Sequence, residues 1–207
     1  MFLVLTMKQY NGEKAIISLT TWKARINTVG LTLFSLYTQC PSFHIVLVLS
    51  EEEFPKKEAE LPDSVMAFVN KNIVELLWVY KNYKSFKKVL FTMEKYKDVP
   101  IISADDDCIY VCNYAEKLYD YWRTTGTQVI SYRMSKKDPM CPIGCSVLYA
   151  PTTFDKFIKA FKTYKIMNMQ DDGFYKKVCK AQHLSFAALY KKFPCYFHDQ
   201  IKPINGV

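Results

Sequence analysis

Pro100-Ile-Ile-Ser-Ala-Asp-Asp-Asp-Cys-Ile-Tyr110 sets a short apolar run directly before three consecutive carboxylates, Asp105, Asp106 and Asp107. Ile101 to Ala104 has the length of a buried strand, bounded by Pro on one side and charge on the other. Adjacent like charges repel, and burying even one without a partner is costly. Two readings therefore compete. Asp is a common turn residue, so the triplet reads as a solvated acidic turn ending a strand. Alternatively it is a strand end that gathers around a hard divalent cation. The rest of the chain decides between them.

Working outward, Ala15–Thr20 and Phe43–Ser50 are short, β-branched-rich and almost continuously apolar, the pattern of strands covered on both faces of a parallel sheet. Ile73–Tyr80 gives a further strand. Between these runs lie segments of helical spacing: Val29–Cys40, closed by Pro41; a short helix near Asp63–Asn70; and a Lys-rich helix over Lys84–Tyr96. After the triplet the spacing predicts helices over Asn113–Thr125, with Asn113 as N-cap, over Thr152–Tyr164, and from Asp171 to about Gln182. Gln128–Arg133 and Val147–Ala150 read as strands, and the tail from Phe193 as irregular. Strands alternating with helices of this length predict βαβ units and a mostly parallel sheet.

The 207 residues fit one domain, long enough to bury a sizeable core. Half the residues are hydrophobic and 15% are aromatic, with six Gly and nine Pro, which excludes a disordered chain. The formal charge of +8 calls for anionic company: nucleic acid, an acidic membrane surface or a phosphate-bearing substrate. Seven Cys without a paired Cys-x-x-Cys arrangement read as reduced thiols rather than a zinc site. The apolar start, Met1–Leu5, is too short for a signal peptide, and no run approaches the roughly 20 apolar residues of a spanning helix.

In open α/β sheets, ligands bind outside the carboxyl ends of the strands. Those ends carry Thr20–Arg25, Ser50–Glu53, Asn82–Lys84 and Asp105–Asp107; two of these four sets are polar or cationic and one is a carboxylate cluster. A diphosphate bridged to carboxylates by Mg²⁺ or Mn²⁺ satisfies both signs. Neither Gly-x-x-x-x-Gly-Lys nor Gly-x-Gly-x-x-Gly occurs, which argues against P-loop phosphate transfer and against a nicotinamide enzyme.

Taken together, Ile16-Ile-Ser-Leu-Thr-Thr-Trp-Lys-Ala-Arg-Ile26, Ile45-Val-Leu-Val-Leu-Ser-Glu-Glu-Glu-Phe-Pro55, Tyr83-Lys-Ser-Phe-Lys-Lys88, Ile102-Ser-Ala-Asp-Asp-Asp-Cys-Ile-Tyr110 and Gln170-Asp-Asp-Gly-Phe174 resemble, in order, glycosyltransferases of the GT-A type, in particular bacterial polysaccharide and lipopolysaccharide transferases with an Asp-x-Asp motif. The resemblance implies a GT-A-like, Rossmann-type α/β/α sandwich with a mostly parallel central sheet, a single domain with residues 1–112 as its nucleotide-binding half and 113–207 as its acceptor-binding half. It also implies a divalent cation, Mn²⁺ or Mg²⁺, that anchors the diphosphate of a nucleotide-sugar. By resemblance Asp107 is the direct metal ligand, and Asp105 faces the ribose or the metal's water shell. Asp106 is open to either role, because a triplet leaves the register ambiguous. The later pair, Asp171 and Asp172, matches the acidic motif that supplies the base in inverting members, with neither preferred. A carboxylate there takes the acceptor hydroxyl's proton. The alternative for that pair is capping of the following helix.

Arg25, Lys84 and Thr20 are the candidate donor-binding residues in the matched loops, with Lys88 a further cation one helical turn beyond Lys84. Trp22 reads as core packing ahead of acceptor contact. Pro142-Ile-Gly-Cys-Ser-Val-Leu-Tyr149 resembles the segment after the donor pocket, with Cys145 where the family has a smaller residue. His198 is a candidate late metal ligand, with a purely structural role as the alternative.

The expected partners are thus a nucleotide-diphosphate-sugar and a glycan or glycolipid acceptor, with peripheral contact to anionic lipid at the cytoplasmic membrane face and no nucleic acid. Two other readings stand beside transfer. One is a basic, non-catalytic nucleic-acid or anionic-surface binder, supported by the charge and the aromatics. The other is a metal-dependent nuclease or phosphatase using the same carboxylates.

Overall fold

The computed structural model describes residues 14–111, 113–133, 144–163, 171–190 and 195–197. Its centre is a seven-stranded sheet in the order β3-β2-β1-β4-β7-β6-β8, built from β1 (Ile16–Thr20), β2 (His44–Ser50), β3 (Val74–Val79), β4 (Ile101–Ser103), β6 (Val129–Arg133), β7 (Val147–Tyr149) and β8 (Phe186–Tyr190). β1 lies parallel to both β2 and β4, β2 is parallel to β3, and β6 is parallel to β8. Only β7 runs against its neighbours. A separate ribbon pairs β5 (Cys108–Tyr110) with β9 (Cys195–Phe197) in antiparallel register. The expected mostly parallel α/β architecture is what the chain forms.

The apolar strands are covered on both faces because their alternate residues enter two separate cores. Ile17, Leu19, Ile45, Leu47 and Leu49 face one core. They meet α1 (Val29–Gln39), α2 (Asp63–Asn70) and α4 (Tyr114–Thr125) through Val29, Leu33, Val65, Ala115 and Leu118. Ile16, Val46, Val48 and Ile101 face the other. There they meet α3 (Lys87–Lys95), α5 (Phe154–Thr163) and α6 (Asp171–Ala181) through Val89, Met93, Phe157, Phe174 and Val178. At roughly 25 cal/mol per Å² of apolar surface, this two-sided burial is the main stabilising term, and it explains why these strands are not amphipathic.

Several boundaries differ from the sequence expectation. The Lys84–Tyr96 helix begins as a 3₁₀ turn over Lys84–Phe86, and Lys84 adopts φ 51°, so the α-helical stretch starts only at Lys87. Thr152 likewise lies in a 3₁₀ turn, Pro151–Thr153, before α5. Asn113 does stand at the N-cap of α4, but its side chain makes no capping hydrogen bond. β5, β8 and β9 were not expected. Two of them are three-residue strands whose pairing partners lie far away in sequence, and Cys195–Phe197 falls in the tail read as irregular. Gly126 closes α4 at φ 66°, the left-handed geometry that glycine enters without the usual Cβ penalty. No helix among the described residues is long and apolar enough to cross a membrane.

Candidate active site

β4 ends at Ser103 and delivers the Asp triplet to the carboxyl edge of the sheet, between the loop after β1 and the first turn of α3. The turn then doubles back as β5. Tyr110, fully buried at the end of β5, fixes this turn from below: its hydroxyl accepts the Asp105 N–H at 2.8 Å and donates to the Cys145 carbonyl at 2.7 Å. From α1, Thr32 donates to the Asp106 carbonyl at 2.8 Å and the Ser35 hydroxyl accepts the Tyr110 N–H at 3.0 Å. Four hydrogen bonds thus hold the backbone that carries the triplet.

The three carboxylates are not equivalent. Asp106 is 2% exposed and points inward, where Arg25 Nη1 reaches Oδ1 at 2.9 Å and the Thr21 hydroxyl donates to Oδ2 at 2.6 Å. Burial pushes its carboxyl up to about 6, held back by Thr21 and by the Arg25 charge. Asp105 and Asp107, on either side, have side chains 32% and 17% exposed and form the outer face. Arg25 spans the inner and outer positions, lying 3.2 Å from Asp107 Oδ2 as well. Burial and the neighbouring Asp105 charge raise the Asp107 carboxyl, against the pull of Arg25.

Lys88, in the first turn of α3, draws the second acidic pair to the first. It is 4% exposed; its ammonium donates to Asp105 Oδ1 at 2.6 Å and sits 3.4 Å from Asp171 Oδ2. Burial alone pushes this lysine down, but Asp105 and Asp171, with Asp172 nearby, lift it well above the ordinary value. Asp171 and Asp172 open α6, where carboxylates favour the positive end of the helix. Asp171 is buried and Asp172 half-buried.

The remaining candidates separate. Thr20 is buried with its hydroxyl donating to the Val48 carbonyl at 2.6 Å across the β1–β2 edge, so it is Thr21, one residue on, that meets the carboxylates. Lys84 is exposed, its backbone N–H bound to Asn82 Oδ1. The buried cation of that segment is Lys87, whose ammonium contacts Asn82 Oδ1 at 2.7 Å and Glu53 Oε2 at 3.1 Å, tying the loops after β2 and β3 together. Burial pushes Lys87 down, opposed by Glu53. Trp22 is half-buried in the β1 loop, and Cys145 lies buried beneath the triplet. His198 and Gln170 lie outside the described residues. Thr21, Tyr110, Thr32, Ser35 and Lys87 escaped the sequence reading. Thr21 was in the matched loop, but nothing local distinguishes it from Thr20.

Five carboxylates (Asp105, Asp106, Asp107, Asp171 and Asp172) therefore share two buried cations, Arg25 and Lys88. Such an excess of negative charge repels an anionic substrate unless a cation accompanies it. Among the described residues no group of three His, Cys, Asp or Glu side chains is arranged to hold a metal ion. Two outward carboxylates suit a hard dication whose remaining ligands are water and phosphate oxygens, the way Mg²⁺ is held at phosphate-transfer sites. The residues fit that kind of cation and not an all-protein cage. The five described cysteines, Cys40, Cys108, Cys145, Cys179 and Cys195, are all buried and none is in a disulfide.

No family model matches the chain, and no curated protein matches it. Among solved structures it resembles a cytidylyltransferase from Leptospira borgpetersenii serovar Hardjo-bovis, with a TM-score of 0.59 at 12% identity over 87% of this chain and 77% of the other. It also resembles the mannosyltransferase PcManGT from Pyrobaculum calidifontis in complex with GDP-Man and Mn²⁺, with a TM-score of 0.57 at 11% identity over 88% of this chain and 56% of the other. A third is S. aureus TarS 1–349, at 0.59 and 13% identity over 89% of this chain and 60% of that one. The chain thus spans less than two thirds of the latter two. At these identities the likeness concerns architecture: the chain has the GT-A-like fold of nucleotidyltransferases and glycosyltransferases.

Proposed function

We propose that the protein is a metal-dependent glycosyltransferase that moves a sugar from a nucleotide-diphosphate-sugar to the hydroxyl of a glycan or glycolipid acceptor. The observation that carries this reading is the split of the triplet: Asp106 is locked inward by Arg25 and Thr21, which leaves Asp105 and Asp107 as an outward pair at the sheet's carboxyl edge. The fold shared with a mannosyltransferase bound to GDP-Man and Mn²⁺ supports it.

On this reading Asp105 and Asp107 hold Mn²⁺ or Mg²⁺, which when bound neutralises the charge of the departing nucleoside diphosphate. Arg25 keeps Asp106 from competing for that ion and keeps Asp107 oriented. Asp171 or Asp172 accepts the acceptor hydroxyl's proton at a carboxylate oxygen as that hydroxyl bonds the anomeric carbon from the face opposite the nucleotide, whose bond to the sugar breaks, an inverting transfer. Lys88, ion-paired with Asp105 and Asp171, fixes α6 against the triplet. We place the enzyme in bacterial surface polysaccharide or lipopolysaccharide synthesis at the cytoplasmic membrane face, on the strength of the sequence resemblance. The +8 charge suits contact with anionic lipid.

The test is a screen of UDP-, GDP-, CDP- and CMP-linked sugars with Mn²⁺ or Mg²⁺, reading product release and calorimetric binding. A glycosyltransferase releases nucleoside diphosphate, or monophosphate from a CMP-sugar, and stops in EDTA. Absence of metal-dependent binding to every sugar nucleotide rejects the reading. The resemblance to a cytidylyltransferase supports a second reading, nucleotidyl transfer, which releases pyrophosphate from a nucleoside triphosphate instead.

A further inference from the structure

Lys88 raises a question that the proposed reaction does not answer. A metal ligand is of little use while it is ion-paired, yet Asp105 is held at 2.6 Å by an ammonium that is 4% exposed. The ammonium has little access to water when a dication arrives, because the Lys88 side chain is buried in the first turn of α3. A buried ammonium without an anionic partner is strongly disfavoured. Among the described residues its other ion-pair partner is Asp171 Oδ2 at 3.4 Å, on a different element. A dication on Asp105 would therefore face a like charge a few ångströms away, and only Asp171 and Asp172 on α6 would be left to compensate that charge.

A diphosphate changes this balance, because its oxygens can accept from the same ammonium. Resting on the glycosyltransferase reading, we propose that Lys88 is a tethered counter-ion that makes the dication and the diphosphate bind as a unit: it occupies Asp105 against a bare metal ion and passes to phosphate oxygen and Asp171 when the two arrive together. Lys88 thus acts on the metal through Asp105 and on the diphosphate directly. The coupling is reciprocal, so the metal strengthens diphosphate binding by the same factor.

The probes are Mn²⁺ alone and Mn²⁺ with inorganic pyrophosphate, with free Mn²⁺ read by its electron paramagnetic resonance signal on the full chain. In the wild type, pyrophosphate tightens Mn²⁺ binding by about tenfold or more, within the usual range of site-to-site coupling. Lys88→Met releases Asp105, so bare Mn²⁺ binds about tenfold tighter and the pyrophosphate enhancement falls to less than about threefold. Asp171→Asn acts in the opposite direction: it leaves Lys88 wholly on Asp105, so bare Mn²⁺ binds more weakly and the enhancement grows. This second variant keeps the test decisive if Lys88→Met does not fold, which circular dichroism shows. Lys88→Arg keeps the charge and retains most of the enhancement. If both neutralising variants change bare Mn²⁺ affinity in the same direction, or neither changes it while pyrophosphate coupling persists, the counter-ion role is wrong although the metal–diphosphate site stands. If no protein binds Mn²⁺ with or without pyrophosphate, the underlying reading falls as well.

Discussion

Replacing Arg25 by Met tests the clamp that sorts the Asp triplet, because it removes both charged contacts of the guanidinium while keeping much of its apolar stem. In the wild type Asp106 ionises near 6, above the ordinary 3.8, so its ionisation opposes folding as pH rises from about 4 to 6. Above about 6 that loss ends, because the carboxyl is then ionised in the folded chain as in the unfolded one, and the Arg25 charge is what keeps the folded value from lying higher. Without Arg25 the folded carboxyl titrates higher still, and stability keeps falling with pH at about 1.4 kcal/mol per unit. Between pH about 6 and about 7.5 this is about 2 kcal/mol, against a total stability of about 5–15 kcal/mol for a domain. The destabilisation caused by Arg25→Met should therefore be about 2 kcal/mol larger at pH about 7.5 than at pH about 5, where Asp106 is already protonated in the wild type. Urea unfolding followed by tryptophan fluorescence at the two pH values measures it. An equal loss at both, or a loss under about 0.5 kcal/mol at the higher pH, refutes the clamp.

Glu75 lies at the opposite edge of the sheet, bonded to His44 Nε2 at 2.7 Å, Lys95 Nζ at 2.6 Å and the Tyr96 hydroxyl at 2.5 Å. Burial pushes its carboxyl up, but these bonds and the Lys95 charge outweigh it and bring it to about 2. The folded value is depressed below the ordinary 4.5, so the stabilisation is present above about 4.5 and is lost as pH falls toward about 2. It amounts to about 3 kcal/mol. Glu75→Gln should remove most of that pH dependence in urea titrations between pH about 5 and about 2.5; an unchanged profile counts against the network. Tyr110→Phe strips a buried hydroxyl that accepts from Asp105 and donates to Cys145, at a cost of about 1–3 kcal/mol. It should lower the melting temperature and speed hydrogen exchange at the Asp105 amide, and unchanged exchange there would contradict the role given to Tyr110.

Much of the architecture was legible in the chain because it depends on local periodicity. Continuous apolar runs at Ile16–Thr20 and His44–Ser50 demand cover on both faces, and helical spacing between them supplies it. The triplet at the end of β4 was legible too, since an apolar run broken off by three consecutive charges marks where a buried strand stops. β5 and β9 were not, because their hydrogen bonds join Cys108–Tyr110 to Cys195–Phe197, and three residues carry too little pattern to announce a partner so distant.

The division of labour within the site was likewise beyond the sequence. Asp105, Asp106 and Asp107 are chemically identical, and what distinguishes them is which cation the fold brings near. Arg25 and Thr21 from the β1 loop pull Asp106 inward, while Lys88 from α3 takes Asp105 and reaches Asp171 on α6. Residue type and spacing determined that carboxylates would stand at the sheet's carboxyl edge. Burial and long-range pairing decided which of them face outward, because desolvation and ion-pair energies depend on neighbours that only the folded chain assembles.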